Sequence, residues 1–319
     1  MNKYIRLLLA IVALLVAATA NAGEPTYRVV NVMPDYWKFE AAAQGLDGNA
    51  RLRLFRELVI ANHPEAYTAK VIGLDEDKPF DEQLARRFAR AERLVADKTA
   101  LMRTISDSIT QDLPRYEATF RQTFPDLDYR GDIYFMHSLG GFDGSTRKVA
   151  GKTALLFGVD MIAYVYGTGV DVQPFFHHEL FHLYHGQFTG NGAHSSLFAG
   201  ALWREGLATY VAQALNPQAS GVSIFGIPRS TPDRVKQNLP PLAQEIHRLL
   251  DSRDKKDYAR YFTGARENAV VPQRAGYYVG YLVAAKLAKH HTLPELAKLP
   301  FAQVRVEMEK ALSELEAGN

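Results

Sequence analysis

The chain of 319 residues contains no cysteine, which excludes disulfides, thiol catalysis, cysteine-ligated zinc and attachment of a lipid through a cysteine. It also has little excess charge: 37 Lys and Arg stand against 35 Asp and Glu, a formal net charge of +2. Lys3 and Arg6 supply that excess, so a chain lacking residues 1–22 carries a formal charge of 0 and has no global attraction for nucleic acid or an anionic membrane surface. Long apolar runs are scarce as well. The run from Leu7 to Ala18, about twelve residues, is too short to span a bilayer comfortably, and no second one follows. With a basic start and the small-x-small sequence Ala20-Asn21-Ala22 before Gly23, it reads as a signal peptide over 1–22. Export without cysteine suits a bacterial protein, periplasmic or secreted, without stable membrane insertion after cleavage. There is no internal repeat or low-complexity tract.

What is present is an ordinary globular composition, 47% hydrophobic and 23% charged. Its organisation divides at about residue 128. Residues 23–127 read as a helical scaffold. Tyr27 to Val32 is extended, helical stretches follow Pro34 and contain Leu52 to Val59, and a long amphipathic helix covers Asp81 to Phe124 with an interruption near Leu113-Pro114. Arg86, Arg87, Arg90 and Arg93 fit its solvated face. Residues 128–319 begin with a small sheet: Ile133 to Met136 and Thr153 to Tyr166 are β-type runs, separated by turn chemistry at Gly140 to Gly144. The last of these strands would line a cleft in which an extended peptide could pair with it. A helical lobe follows, so the fold class is α+β.

The centre of the second region is His178-Glu179-Leu180-Phe181-His182, an H-E-x-x-H pattern. Positions four apart lie one above the other on a helix, so His178 and His182 converge on a point that one metal ion can occupy. Glu179 is turned away from that direct bond, where it can take a proton from an activated water. Asp171 and Pro174 supply start signals for the helix, Gly186 to Gly192 would break it, and Ser195 or Ser196 would cap the next, which ends at Leu215. Phe175, Phe176, Leu180, Phe181 and Leu183 make the histidine helix a buried one, and a buried cluster of imidazoles and a carboxylate needs a compensating partner. His177 and His185 read as packing or supporting residues. A catalytic zinc usually takes three protein ligands. A metzincin would place Gly at 185 and His at 188, where this chain has His185 and Phe188, so that class fails. Glu205, on a separate helix, can complete a His, His, Glu set for one Zn²⁺, and Gly206 beside it would let two helices approach closely.

The segment Glu205-Gly206-Leu207-Ala208-Thr209-Tyr210 resembles the E-G-x-A-x-Y element of the gluzincin peptidases, in their aminopeptidase N-like branch, an element shared with predicted bacterial zinc peptidases of unknown substrate. The resemblance covers about residues 150 to 285. It implies a gluzincin-like core, a peptide or protein substrate, and hydrolysis with Glu179 as general base; it selects no oligomeric state. It further implies that Tyr277, in Tyr277-Tyr278-Val279-Gly280, matches the oxyanion tyrosine of Y-x-K-G, with Val279 in place of Lys. Tyr278 and Tyr281 are the alternatives, since helical periodicity alone does not select among the three. Thr209 stands where the thermolysin branch has an Asp that orients a zinc histidine, and Thr209, Tyr210 and His185 are further candidates to support the site. The chain lacks the G-x-M-E-N element that holds a free amino terminus, so exopeptidase specificity is not implied. Two other readings share the metal shell: a noncatalytic peptide- or protein-binding module, and a hydrolase of a non-peptide amide or ester.

Overall fold

The computed structural model describes residues 27–169, 171–190, 192–226, 228–263 and 271–318. The proposed signal segment lies outside the described residues, and among those residues no helix is long and apolar enough to cross a membrane. The chain is mostly helical around one four-stranded mixed sheet, an α+β architecture. β1 (Arg28–Asn31), β2 (Asp132–Met136), β3 (Gly144–Val149) and β4 (Lys152–Gly158) are ordered β1-β2-β4-β3. β1, β2 and β4 run parallel, while β3 folds back antiparallel on β4 with Gly144 opposite Phe157. A segment from the start of the chain therefore completes the sheet that precedes the histidine helix.

α1 (Met33–Ala42), α2 (Gly48–Phe55, continued by a π turn over Arg56–Ile60), α3 (Ala69–Ile72), α4 (Phe80–Leu94) and α5 (Thr99–Thr123) form the first helical group. The expected interruption at Pro114 does not occur: α5 continues through it, and the break falls at 95–98 instead. A mid-helix proline costs about 3 kcal/mol. Burial of Met102, Ile105, Ile109, Tyr116 and Phe120, at roughly 1.5–3 kcal/mol for a large apolar side chain, outweighs it. Arg87 does not merely face solvent either, because it donates to the carbonyls of Ile72, Gly73 and Gly140.

The expected strand from Thr153 to Tyr166 is half correct. β4 stops at Gly158, and α6 (Val159–Tyr166) follows. Val159, Ile162, Ala163 and Tyr166 are buried at helical spacing, so the same apolar residues serve a helix stripe. Asp160, in the first turn of α6, is fully buried and accepts from Ser138 N at 2.6 Å, Gly140 N at 2.7 Å and Ser138 Oγ at 3.1 Å. It thereby fixes the turn in which Leu139 and Gly140 have positive φ, and that turn delivers β3 to the edge of the sheet. β3 supplies most of the strand wall of the cleft, Gly144 to Lys148, and the last strand in sequence, β4, supplies Thr153.

α7 (Val172–Thr189) carries the histidines and is capped by Asp171, whose side chain accepts from Gln173 N at 2.9 Å. It runs through Gly186 and ends before Gly190. α8 (Phe198–Leu215) begins after a 3-10 turn over Ala193–Ser196, so neither Ser195 nor Ser196 caps it; the cap position is Leu197. The remaining lobe comprises α9 (Gly221–Phe225), α10 (Thr231–Gln237), α11 (Leu239–Leu249), α12 (Lys255–Phe262), α13 (Ala275–Leu287), α14 (Leu293–Lys298) and α15 (Phe301–Glu316). α8 packs on α13 at two glycines. A Cβ at Gly206 would lie 2.2 Å from the carbonyl carbon of Gly280, and one at Gly280 would lie 2.5 Å from Leu202 O. Gly206 therefore admits α13, not the histidine helix.

Candidate metal centre

Three donor atoms from α7 and α8 converge. His178 Nε2 and His182 Nε2 are 3.1 Å apart, His182 Nε2 lies 3.3 Å from Glu205 Oε2, and His178 Nε2 lies 3.6 Å from the same oxygen. In a tetrahedral shell with bonds of about 2.0–2.1 Å, donors sit roughly 3.3–3.4 Å from one another. The observed triangle has that size, and two nitrogens with one carboxylate oxygen is a donor set suited to zinc. His178, Glu179 and His182 likewise offer ligand atoms within 4.8 Å of one another. We take Glu205 as the third member because its oxygen is within 3.6 Å of both imidazole nitrogens, while Glu179 follows His178 directly on the helix.

The electrostatics are those of a partly buried, mutually compensated cluster. Burial alone would raise the Glu205 carboxyl, but His182, the hydrogen bonds of both imidazoles and Arg204 outweigh it and hold it well below its ordinary value. Arg204 Nε is 3.1 Å from Glu205 Oε1, which leaves Oε2 to face the histidines. Burial also pushes His178 down; at His182 burial acts in the same sense, but the charge and hydrogen bond of Glu205 together with the charge of Glu179 outweigh it and raise the imidazole. Glu179 is pushed up to about 7, chiefly by burial, with Asp143 and Glu205 adding to the effect against His182. Its carboxylate lies against Gly144 of β3, where a Cβ would come within 2.4 Å of Oε1. A glycine at the head of the edge strand is what makes room for this carboxylate.

Of the other residues selected from sequence, Tyr277 comes to the site. It lines the cleft, its ring centroid 6.3 Å from that of His178. Burial, reinforced by Glu205, raises its hydroxyl well above the ordinary value, so it remains a donor at neutral pH. Tyr278 points elsewhere, packing on Phe225 at 5.1 Å, and Tyr210 packs on Tyr281 at 5.7 Å. Thr209 does not reach a histidine. Its hydroxyl donates to the Glu205 carbonyl at 2.7 Å, within its own helix. His185 lines the cleft, stacks on Phe181, and is pushed down to about 3 by burial and by His182, Arg204 and His194. His177 faces away: its Nε2 meets Tyr116 O and its Nδ1 meets Asn216 Nδ2, each at 2.9 Å, which makes it a packing residue between α5 and α8.

Asp143, Gly144, Arg204, Tyr258 and Arg274 also line the cleft, which encloses about 910 Å³. Sequence reasoning reached Asp143 and Gly144 only as turn chemistry. For Arg274 there was no local signal, since it enters the cleft through a left-handed backbone, φ 60°, at the start of α13.

Residues 156–304, which include both histidines, Glu179, Glu205 and Tyr277, match a family model described as "Predicted Zn-dependent protease (DUF2268)". The likeness is to a zinc-dependent protease at that coarse level. No curated protein and no solved structure matches the chain.

Proposed function

We propose that this protein is an exported, periplasmic or secreted zinc metallopeptidase of the gluzincin type. In this reading His178, His182 and Glu205 hold one Zn²⁺. The observation that carries it is the convergence of those three donors at 3.1 to 3.6 Å with a partly buried carboxylate, Glu179, beside them. A zinc ion held there supplies Lewis acidity, bringing the pKa of water towards neutrality and polarising a peptide carbonyl. Glu179, raised to about 7, is matched to a base that takes a proton from the attacking water and then gives it to the leaving nitrogen. Tyr277, held protonated, donates to the developing oxyanion. Gly144 admits the Glu179 side chain and β3 borders the cleft, so an extended peptide backbone fits along that edge better than a compact ester does.

The test is to incubate the protein with a diverse peptide mixture, with and without a chelator, and map cleavage by mass spectrometry. Chelator-sensitive cleavage is expected in the wild type. Glu179→Gln preserves size and hydrogen bonding but removes the base, so it should retain zinc and lose activity by about 100-fold or more. Cleavage that survives in Glu179→Gln, or a wild type without chelator-sensitive cleavage, would sink the proposal and favour the binding-module reading.

A further inference from the structure

Arg274 has no role in the chemistry outlined above, yet it stands in the wall of the same cleft. Its Nε is sealed from solvent and has no hydrogen-bond partner. No carboxylate among the described residues comes within ion-pair distance of it, although Asp143 and Glu205 act on its charge from further away and it acts on Glu179. Glu205 serves the imidazoles and Arg204, and Asp143 Oδ1 accepts from Gly144 N at 2.9 Å. Arg274 lies over the Tyr277 ring, 4.5 Å from its centroid, with the Tyr166 side chain near enough to act on its charge. A guanidinium over a ring uses its charge on the ring face, while its N–H donors project from its edge. Arg274 is also one of the few non-glycine residues with positive φ, a conformation that costs energy for a residue with a Cβ and persists where the surrounding structure requires it. A permanently charged, planar donor with no carboxylate of the described residues in ion-pair contact, standing in a substrate cleft, is suited to bind one brought by the ligand.

We propose that Arg274 is a substrate-recognition residue that binds a carboxylate of the peptide, so that the enzyme prefers substrates carrying a negative charge close to the bond at the metal centre. The carboxylate is either the peptide's own carboxyl terminus or an Asp or Glu side chain. Both present the same planar acceptor. The inference rests on the peptidase reading of this cleft and adds the substrate class to it.

The test measures binding rather than turnover. Three N-acetylated pentapeptides of otherwise identical sequence are titrated calorimetrically into Glu179→Gln protein as purified: a neutral peptide amide, the same peptide with a free carboxyl terminus, and the amide with one central glutamate. The free acid, the glutamate peptide or both should bind about 10-fold or more tightly than the neutral peptide, and which one does identifies the source of the carboxylate. Adding Arg274→Gln should abolish that preference while changing the affinity of the neutral peptide by less than about threefold. Arg274→Lys, which keeps the charge and most of the stem, should restore part of the preference and shows whether the site remains intact. Equal affinities for all three peptides, or no measurable binding of either carboxylate peptide at millimolar concentration, would overturn the proposal. So would a preference that survives Arg274→Gln, which would place the carboxylate on the metal. Charge-selective binding by a protein that cleaves nothing would retain Arg274's role and remove the peptidase reading; cleavage without charge selectivity would do the reverse.

Discussion

Tyr277 and Tyr278 are adjacent in sequence and separated in role by the helix. Tyr277 faces His178 across the cleft, whereas Tyr278 is buried against Phe225 on another side of α13. A donor that acts on the transition state affects turnover more than affinity, so Tyr277→Phe should lower kcat about 100-fold or more with zinc content intact, and Tyr278→Phe should not. Steady-state kinetics on the two variants, with metal analysis, checks this. If the large loss falls on Tyr278→Phe, the register carried over from Y-x-K-G is wrong. His177, next to His178, gives a prediction of a different kind. It is buried and neutral, pushed down to about 4 chiefly by burial, from an ordinary value of 6.5. The unfolded chain therefore binds a proton between those values that the folded chain does not. The stability contributed by the neutral imidazole is complete above about pH 6.5 and falls as the pH drops towards 4, by about 3 kcal/mol at most. His177→Gln should flatten the acid limb of the stability profile by up to one proton, as denaturant melts between pH 4 and 7 would show.

Elements were legible in the sequence where a local rule decided them. The i, i+4 histidines and the Asp171 cap marked α7, and its donors do meet. They were not legible where tertiary contacts chose between two periods. Val159 to Tyr166 alternates well enough for a strand, yet also repeats at helical spacing, and the buried Asp160 bonded to the 138–140 turn belongs to the helical outcome. Pro114 is a strong local breaker overruled by a buried stripe. Likewise the glycine of Tyr277-Tyr278-Val279-Gly280 had a visible spacing but no visible reason. Its reason is contact with Gly206, which brings α13, and with it Tyr277 and Arg274, onto the helix that bears Glu205. Gly280→Ala would place a Cβ 2.5 Å from Leu202 O and 2.8 Å from Gly206 Cα, all backbone atoms that cannot swing aside. The helices must separate, at a cost of about 1–3 kcal/mol. We expect a lowered melting temperature and reduced turnover with zinc still bound. Unchanged activity and melting in that variant would mean that the α8–α13 approach does not set the geometry of the cleft.

At the scale of the molecule, the candidate metal centre joins parts of the chain that have separate supports. The back of α7 is held by the first helical group: His177 meets Tyr116 O of α5, and the Tyr184 hydroxyl donates to Asp126 Oδ1 at 2.8 Å. Lys298 of α14 reaches Asp126 Oδ2 at 2.7 Å, tying the C-terminal lobe to the same point. Glu205 comes from α8, whose other face is committed to α13. The proposed ligand set, divided between α7 and α8, would make metal binding a constraint on the whole fold, because an ion bound only by the folded chain stabilises it by mass action. At free zinc about 1,000-fold above its Kd the gain is about 4 kcal/mol, a rise of roughly 5 °C or more in melting temperature for a folding unit of this size. Adding a chelator to the wild type should reverse that rise, and re-adding zinc should restore it. Glu205→Ala leaves both imidazoles on α7 but removes the link to α8, so its own zinc-dependent rise should shrink to less than about a third of the wild-type value. Differential scanning calorimetry with and without zinc compares each protein with itself, which separates the loss of metal from the loss of the Arg204 pair that the same substitution causes. Equal zinc-dependent shifts in the two proteins would exclude Glu205 as a ligand.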